Sequence, residues 1–252
     1  TIPDSVTSIE SAFANCSALT SITIPDSVTS IESAFANCSA LTSITIPNSV
    51  NSIDGAFYGC SSLTSITIPD SVTSIGGYTF WYCNSLSSIT IPDSVTSIAD
   101  RAFYYCTSLS SITIPDSVNS IGDRAFSLCI SLSRVTFEGN APTMGSYVFL
   151  NAHPSIYYYD DATGFTSPTW QGIQTEAVSR PIPLIANIEK SENGVKFWFN
   201  AASGHSYRIE TSTDLENWTT LEDGIIGEGD TVVRYHDTAV TQRRFYRAKR
   251  ND

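Results

Sequence analysis

The tripeptide Ile-Pro-Asp, once Ile-Pro-Asn, returns with its proline at Pro3, Pro25, Pro47, Pro69, Pro92 and Pro115. The period is 22 residues for three steps and 23 for two, and residues 1–22 are identical to residues 23–44. A unit this short cannot bury its own apolar face, so a chain built from it folds by stacking unit on unit into a solenoid.

Each unit keeps its apolar residues in fixed places. In the copy that begins at Thr23 they are Ile24, Val28, Ile31, Phe35, Cys38, Leu41 and Ile44. The spacing Leu41-x-x-Ile44-x-Ile46 is that of a leucine-rich repeat strand. Ile44 and Ile46 alternate with Ser43 and Thr45, a period of two that turns the isoleucines inward and the hydroxyls outward. Pro47-Asn48-Ser49 supplies turn chemistry at the strand end. Val28-x-x-Ile31 predicts a second short extended segment, and Ala34-Phe35 through Cys38 a short helical turn. The expected fold is a leucine-rich repeat solenoid, a parallel β ladder with short helical turns. The recurring Ile-Pro turn, Ala-Phe pair and Cys-x-x-Leu step resemble the BspA-like class of leucine-rich repeats over residues 1–138. The resemblance implies secreted or surface-attached binding proteins, several of them adhesins, and no enzymes.

After Val135-Thr136-Phe137 the period breaks. Residues 139–178, with Ala141-Pro142, Phe149, Thr163-Gly164-Phe165 and Trp170, are expected to form a C-terminal cap that closes the apolar end. Residues 179–186 carry two prolines and read as a stiff linker. Residues 187–252 hold short alternating runs separated by Gly, Asn and Asp, the pattern of a small all-β antiparallel sandwich. The stretch from Tyr207 to Trp218, with Phe245-Tyr246-Arg247, resembles a fibronectin-type-III-like module of exported bacterial proteins. At the other end, Thr1 and Ile2 begin in mid-strand, an open edge at which a chain of this kind associates with upstream residues or with another copy of itself.

A net charge of -12 argues against nucleic acid and anionic membranes as partners, because both need Lys and Arg to neutralise phosphate. No run approaches the roughly 18 apolar residues of a membrane span. The phosphate-loop, dinucleotide, zinc-protease and nucleophile-elbow motifs are all missing. No cofactor or catalytic residue is expected.

Four columns of residues are candidates for chemistry or contact. Cys16, Cys38, Cys60, Cys83, Cys106 and Cys129 follow the repeat period, as buried free thiols do; disulfides and a metal are the alternatives. Asp4, Asp26, Asp70, Asp93 and Asp116, with Asn48 interrupting, are either turn-stabilising side chains or a calcium row. The outward strand face carries Ser43, Thr45, Ser65, Thr67, Ser88, Thr90, Ser111, Thr113 and Arg134, either a solvated sheet or a contact array. Between Phe and Cys the sequence varies most, and stacking there brings Tyr58, Trp81, Tyr82, Tyr104 and Tyr105 into an aromatic stripe, either an interaction surface or rings partly buried between coils. The expectation is a non-catalytic extracellular or cell-surface protein that binds protein or glycan. Its alternative is a structural protein that assembles head-to-tail into fibres through its open end.

Overall fold

The computed structural model describes residues 2–178 and, beyond them, residues 187–191, 194–200, 206–212, 219–226, 231–237 and 245–250. They belong to two compact units, Thr1–Ser179 and Arg180–Asp252. Thr1 and the linker at 179–186 lie outside the described residues.

The first unit is a three-sided coil. Its strands are β1 (Ser74–Ile75), β2 (Ser97–Ile98), β3 (Ser111–Ile114), β4 (Ser120–Ile121), β5 (Arg134–Phe137), β6 (Thr143–Met144), β7 (Ser155–Tyr159), β8 (Thr169–Trp170) and β9 (Ile173–Val178). On one side β1, β2, β4 and β6 pair in parallel, and single bridges Ser8 to Ser30 to Ser52 carry that ladder back through the earlier coils. On the second side β3, β5, β7 and β9 pair in parallel, β8 folds back on β9, and Thr45, Thr67 and Thr90 are bridged in line. The two coil lengths have a local cause. The 23-residue coils hold one more residue between the isoleucine and the corner, as in Ile75-Gly76-Gly77-Tyr78 against Ile53-Asp54-Gly55. With it, Ala99 N–H reaches Ile75 O and Gly122 N–H reaches Ile98 O, so bridges become two-residue strands.

The third side replaces the expected helical turn. Among the described residues there is no α-helix. Ser33 and Asn37 stand at φ of 52° and 60°, and two left-handed residues four apart cannot belong to one right-handed helix. The backbone donors divide their partners instead. Ala34, Ala36 and Cys38 bond back within the coil to Ile31, Ser33 and Phe35, whereas Ser33, Phe35 and Asn37 donate to Asp54, Ala56 and Tyr58 of the next coil. The corner is therefore itself a parallel ladder.

The core is a set of columns. Phe13, Phe35, Phe57, Phe80, Phe103, Phe126 and Phe149 stack ring over ring with centroids 5.1–5.9 Å apart and near-parallel planes. The last ring places a coil where the sequence period is already lost. β6 and β7 continue both ladders past residue 138, so the segment read as cap contains a further coil before closure. The substitutions there conserve volume: Val148, Phe149 and Ala152 stand where Ala125, Phe126 and Cys129 stand one coil earlier, and all six are buried. Closure follows, with Phe165 and Trp170 covering Phe137.

Each buried cysteine is free and donates its thiol hydrogen to a phenylalanine carbonyl of the preceding coil, Cys38 to Phe13, Cys60 to Phe35, Cys83 to Phe57, Cys106 to Phe80 and Cys129 to Phe103, all at 3.1 Å. The repeated serine works the same way: Ser27, Ser49, Ser71, Ser94 and Ser117 donate to valine carbonyls of the preceding coil at 2.5–2.7 Å. Cys16, in the first coil, is exposed. A chromogenic thiol reagent at pH 8 accordingly titrates one thiol in the folded protein and the other five only after denaturation. Fast reaction of two or more would contradict this packing.

The second unit holds β10 (Asn187–Ser191), β11 (Gly194–Asn200), β12 (Ser206–Ser212), β13 (Thr219–Ile226), β14 (Thr231–Asp237) and β15 (Phe245–Arg250). They form two antiparallel three-stranded sheets, ordered β10-β11-β14 and β13-β12-β15.

Candidate functional site

The corner ladder sets two rows of residues in left-handed backbone. One row runs Ser11, Ser33, Gly55, Tyr78, Arg101, Arg124 and Tyr147; the other runs Asn15, Asn37, Gly59, Tyr82, Tyr105, Leu128 and Asn151. This conformation costs an L-residue about 1–2 kcal/mol, from which glycine is exempt and which asparagine tolerates best. The early coils obey that preference. The middle coils set it aside, with Tyr78 at φ 60°, Tyr82 at 60° and Tyr105 at 63°. Rings thus occupy the positions where the backbone tolerates them least.

Between the two rows lie Tyr58, Trp81 and Tyr104, with Ala14 and Ala36 as their counterparts in the first coils. Trp81 is the hub. Tyr78 stacks on it at 4.7 Å and Tyr82 at 5.9 Å, while Tyr58 and Tyr104 meet it edge-on at 5.5 and 5.1 Å. Tyr105 lies 4.6 Å from Tyr82. All five residues of the expected stripe come together, and Tyr78 joins them. The sequence reading missed Tyr78 because, counted from the isoleucine, the extra residue at Gly76-Gly77 shifts it out of register with Ser33 and Gly55. Its signal was the tyrosine that opens "YTFWY", two residues before the spine phenylalanine, where Ser33 and Gly55 stand in the earlier coils.

The cluster is not built for stability alone. The Trp81 indole Nε1–H is shielded from solvent and has no hydrogen-bond partner among the described residues, an omission that costs about 1–3 kcal/mol. Tyr78 and Tyr82 are exposed at 39% and 40%. Ring faces are largely spent on one another, which leaves edges and hydroxyls to the outside. Arg101 donates from Nη1 to the Tyr78 hydroxyl at 2.8 Å and lies 5.6 Å from the centre of that ring, and Arg124 lies 5.4 Å from that of Tyr147.

Charge along the unit is one-sided. The first hundred residues hold Asp4, Glu10, Asp26, Glu32, Asp54, Asp70, Asp93 and Asp100 and no Lys, Arg or His. The Asp column at 4, 26, 70, 93 and 116 is exposed, and among the described residues no three His, Cys, Asp or Glu side chains gather as a metal site. Ser43, Thr45, Ser65, Thr67, Ser88, Thr90, Ser111, Thr113 and Arg134 all point to solvent from the second side, and Arg134 lies over the Tyr157 ring at 3.7 Å. Ile2 is half-buried against the first coil.

Six copies of the BspA type leucine rich repeat region match residues 1–61 and 54–161. The chain belongs to the BspA type leucine rich repeat family. Among solved proteins, this BspA type chain is similar to a leucine rich repeat protein of T. pallidum, 32% identical over 58% of the present chain and 70% of that one, with a TM-score of 0.54. It is also similar to a leucine rich cell surface protein of Faecalibacterium prausnitzii, 32% identical over 71% and 60% of the two chains, with a TM-score of 0.48. A leucine-rich repeat protein of Bacteroides ovatus is 27% identical over 69% and 60%, with a TM-score of 0.44. The BspA type chain therefore spans less than two thirds of the length of the latter two. No curated protein matches it.

Proposed function

We propose that this chain is a non-catalytic protein of the cell surface or extracellular space that binds another protein through the aromatic corner of its solenoid. One observation carries the reading: Tyr78, Tyr82 and Tyr105 occupy left-handed positions that the first coils give to serine and asparagine. Tyrosine supplies large, rigid contact area with a polar tip, the composition of binding hot spots. The pairing of ring faces favours a protein over a glycan, since a sugar stacks on free faces. Membership of the BspA type family supports the surface location and the absence of catalysis. The second unit fits a fibronectin-type-III-like spacer. In its favour are the exchange of strands between the two sheets along the chain and the Arg234–Glu222 ion pair of 2.8 Å, which links β14 of one sheet to β13 of the other.

The test is a panel of immobilised extracellular proteins, each with and without enzymatic deglycosylation. The wild-type chain is compared with the double variant Y82N/Y105N, which restores the residue of the first coils. Relief of the left-handed strain and loss of ring contacts, about 0.5–1.5 kcal/mol each, offset one another, so the melting temperature stays within a few degrees. Binding falls at least about tenfold. Undiminished binding by the variant would sink the proposal, and loss on deglycosylation would transfer it to a glycan.

A further inference from the structure

Beside the aromatic cluster lies a recess of about 390 Å³ whose lining includes Glu32, Asp54, Tyr58 and Tyr78. Glycines open it. Gly55, at φ 60°, and Gly77 lie in its wall, and a Cβ on Gly76 would stand 2.1 Å from Asp54 Oδ1. The recess sits where coils of 22 residues give way to coils of 23, so the bare Gly76-Gly77 pair falls between the acidic rungs and the first tyrosine of the row.

Its chemistry is unbalanced. Glu32 accepts a hydrogen bond from the Ser52 hydroxyl at 2.6 Å and Asp54 one from the Gly77 backbone, yet among the described residues neither forms an ion pair. Burial, and after it the charge of Glu32, push the Asp54 carboxyl above its ordinary range. No cation in the first hundred residues offsets them. Arg101 stands on Tyr78, a ring of the same wall, with its guanidinium directed at the phenol. A pocket bordered by two carboxylates that lack an ion pair attracts a cation by charge.

We infer that this recess receives a lysine or arginine side chain from a basic segment of the partner protein, the aromatic cluster forming the surrounding contact. The inference rests on the protein-binding reading of the corner and adds to it the charge of the ligand. A long cationic side chain fits it, because Glu32 and Asp54 border the recess without an ion pair among the described residues and the first hundred residues supply no Lys, Arg or His.

The experiment uses the full chain and three fluorescein-labelled decapeptides of alternating glycine with arginine, lysine or citrulline, read by fluorescence anisotropy at low ionic strength. The arginine and lysine peptides bind and the citrulline peptide, which has arginine's shape without its charge, does not. Glu32→Gln with Asp54→Asn keeps both hydrogen-bond acceptors and weakens the cationic peptides about tenfold. Asp26→Asn with Asp70→Asn removes the same charge elsewhere and changes affinity less than about twofold. Equal weakening in both double variants, or binding of the citrulline peptide, overturns the inference, as does no binding of either cationic peptide. A panel partner lost by Y82N/Y105N but kept by Glu32→Gln with Asp54→Asn would overturn the recess and leave the aromatic corner standing. A partner kept by both would overturn the corner itself.

Discussion

Phe80→Ala costs about 3–5 kcal/mol and splits the unfolding transition. The ring is fully buried, 5.6 Å from Phe57 on one side and 5.2 Å from Phe103 on the other. Stability in a stack is the sum of each coil's own term and its nearest-neighbour interfaces. Alanine at the centre of the spine weakens two interfaces at once, leaving the coils of Cys16, Cys38 and Cys60 poorly coupled to those of Cys106 and Cys129. Guanidinium titration followed by circular dichroism is therefore expected to become broad or biphasic, with a smaller slope. Phe13→Ala, at a half-buried end ring with one stacked neighbour, costs clearly less and leaves a single transition. Equal losses at the two positions would show that the coils do not couple through this column.

The second large effect is alkaline. Burial, with a smaller contribution from neighbouring thiols in the column, raises the thiols of Cys38, Cys83 and Cys106 above the ordinary 9.0 and pushes Cys60 up to about 12. Well below pH 9 these thiols are protonated in both states and contribute no pH dependence. Above it the unfolded chain loses protons that the folded one keeps, so stability falls as pH rises through the folded values. Each of the three most strongly raised thiols, Cys60, Cys83 and Cys106, contributes a slope approaching about 1.4 kcal/mol per pH unit, and the three together cost about 4 kcal/mol by pH 10. Chemical denaturation at pH 8, 9 and 10 measures the loss. Cys60→Ala with Cys83→Ala removes about two thirds of this slope, and an unchanged slope would assign the alkaline loss to other groups.

How far the sequence carries is visible in individual columns. The cysteines are legible as core filler, because their spacing is that of the repeat. Their choice over alanine is not, since the carbonyl that each thiol meets belongs to a phenylalanine 25 or 26 residues earlier, a pairing set by the pitch of the coil. The two strand ladders follow from alternation and from Val28-x-x-Ile31. The corner does not, because Ala-Phe-Ala-Asn-Cys carries ordinary helical propensity, and what excludes a helix is the call of the neighbouring coil on every second N–H. Five of the six rings in the aromatic cluster are readable by counting from Phe to Cys. The sixth, Tyr78, and the acidic recess beside it both depend on a one-residue change of period, which moves side chains in space by far more than it moves them along the text.

That change of period has a further consequence for how such a chain can vary. Gain or loss of whole identical units by recombination would change only the number of coils ahead of residue 45, each adding about one interstrand spacing of 4.8 Å. The junction at Gly76-Gly77 travels as a block with the tyrosines behind it. Length and corner chemistry are thus inherited separately: copy number sets how many coils precede the junction, while one inserted residue fixes where along them the tyrosines of the proposed contact begin.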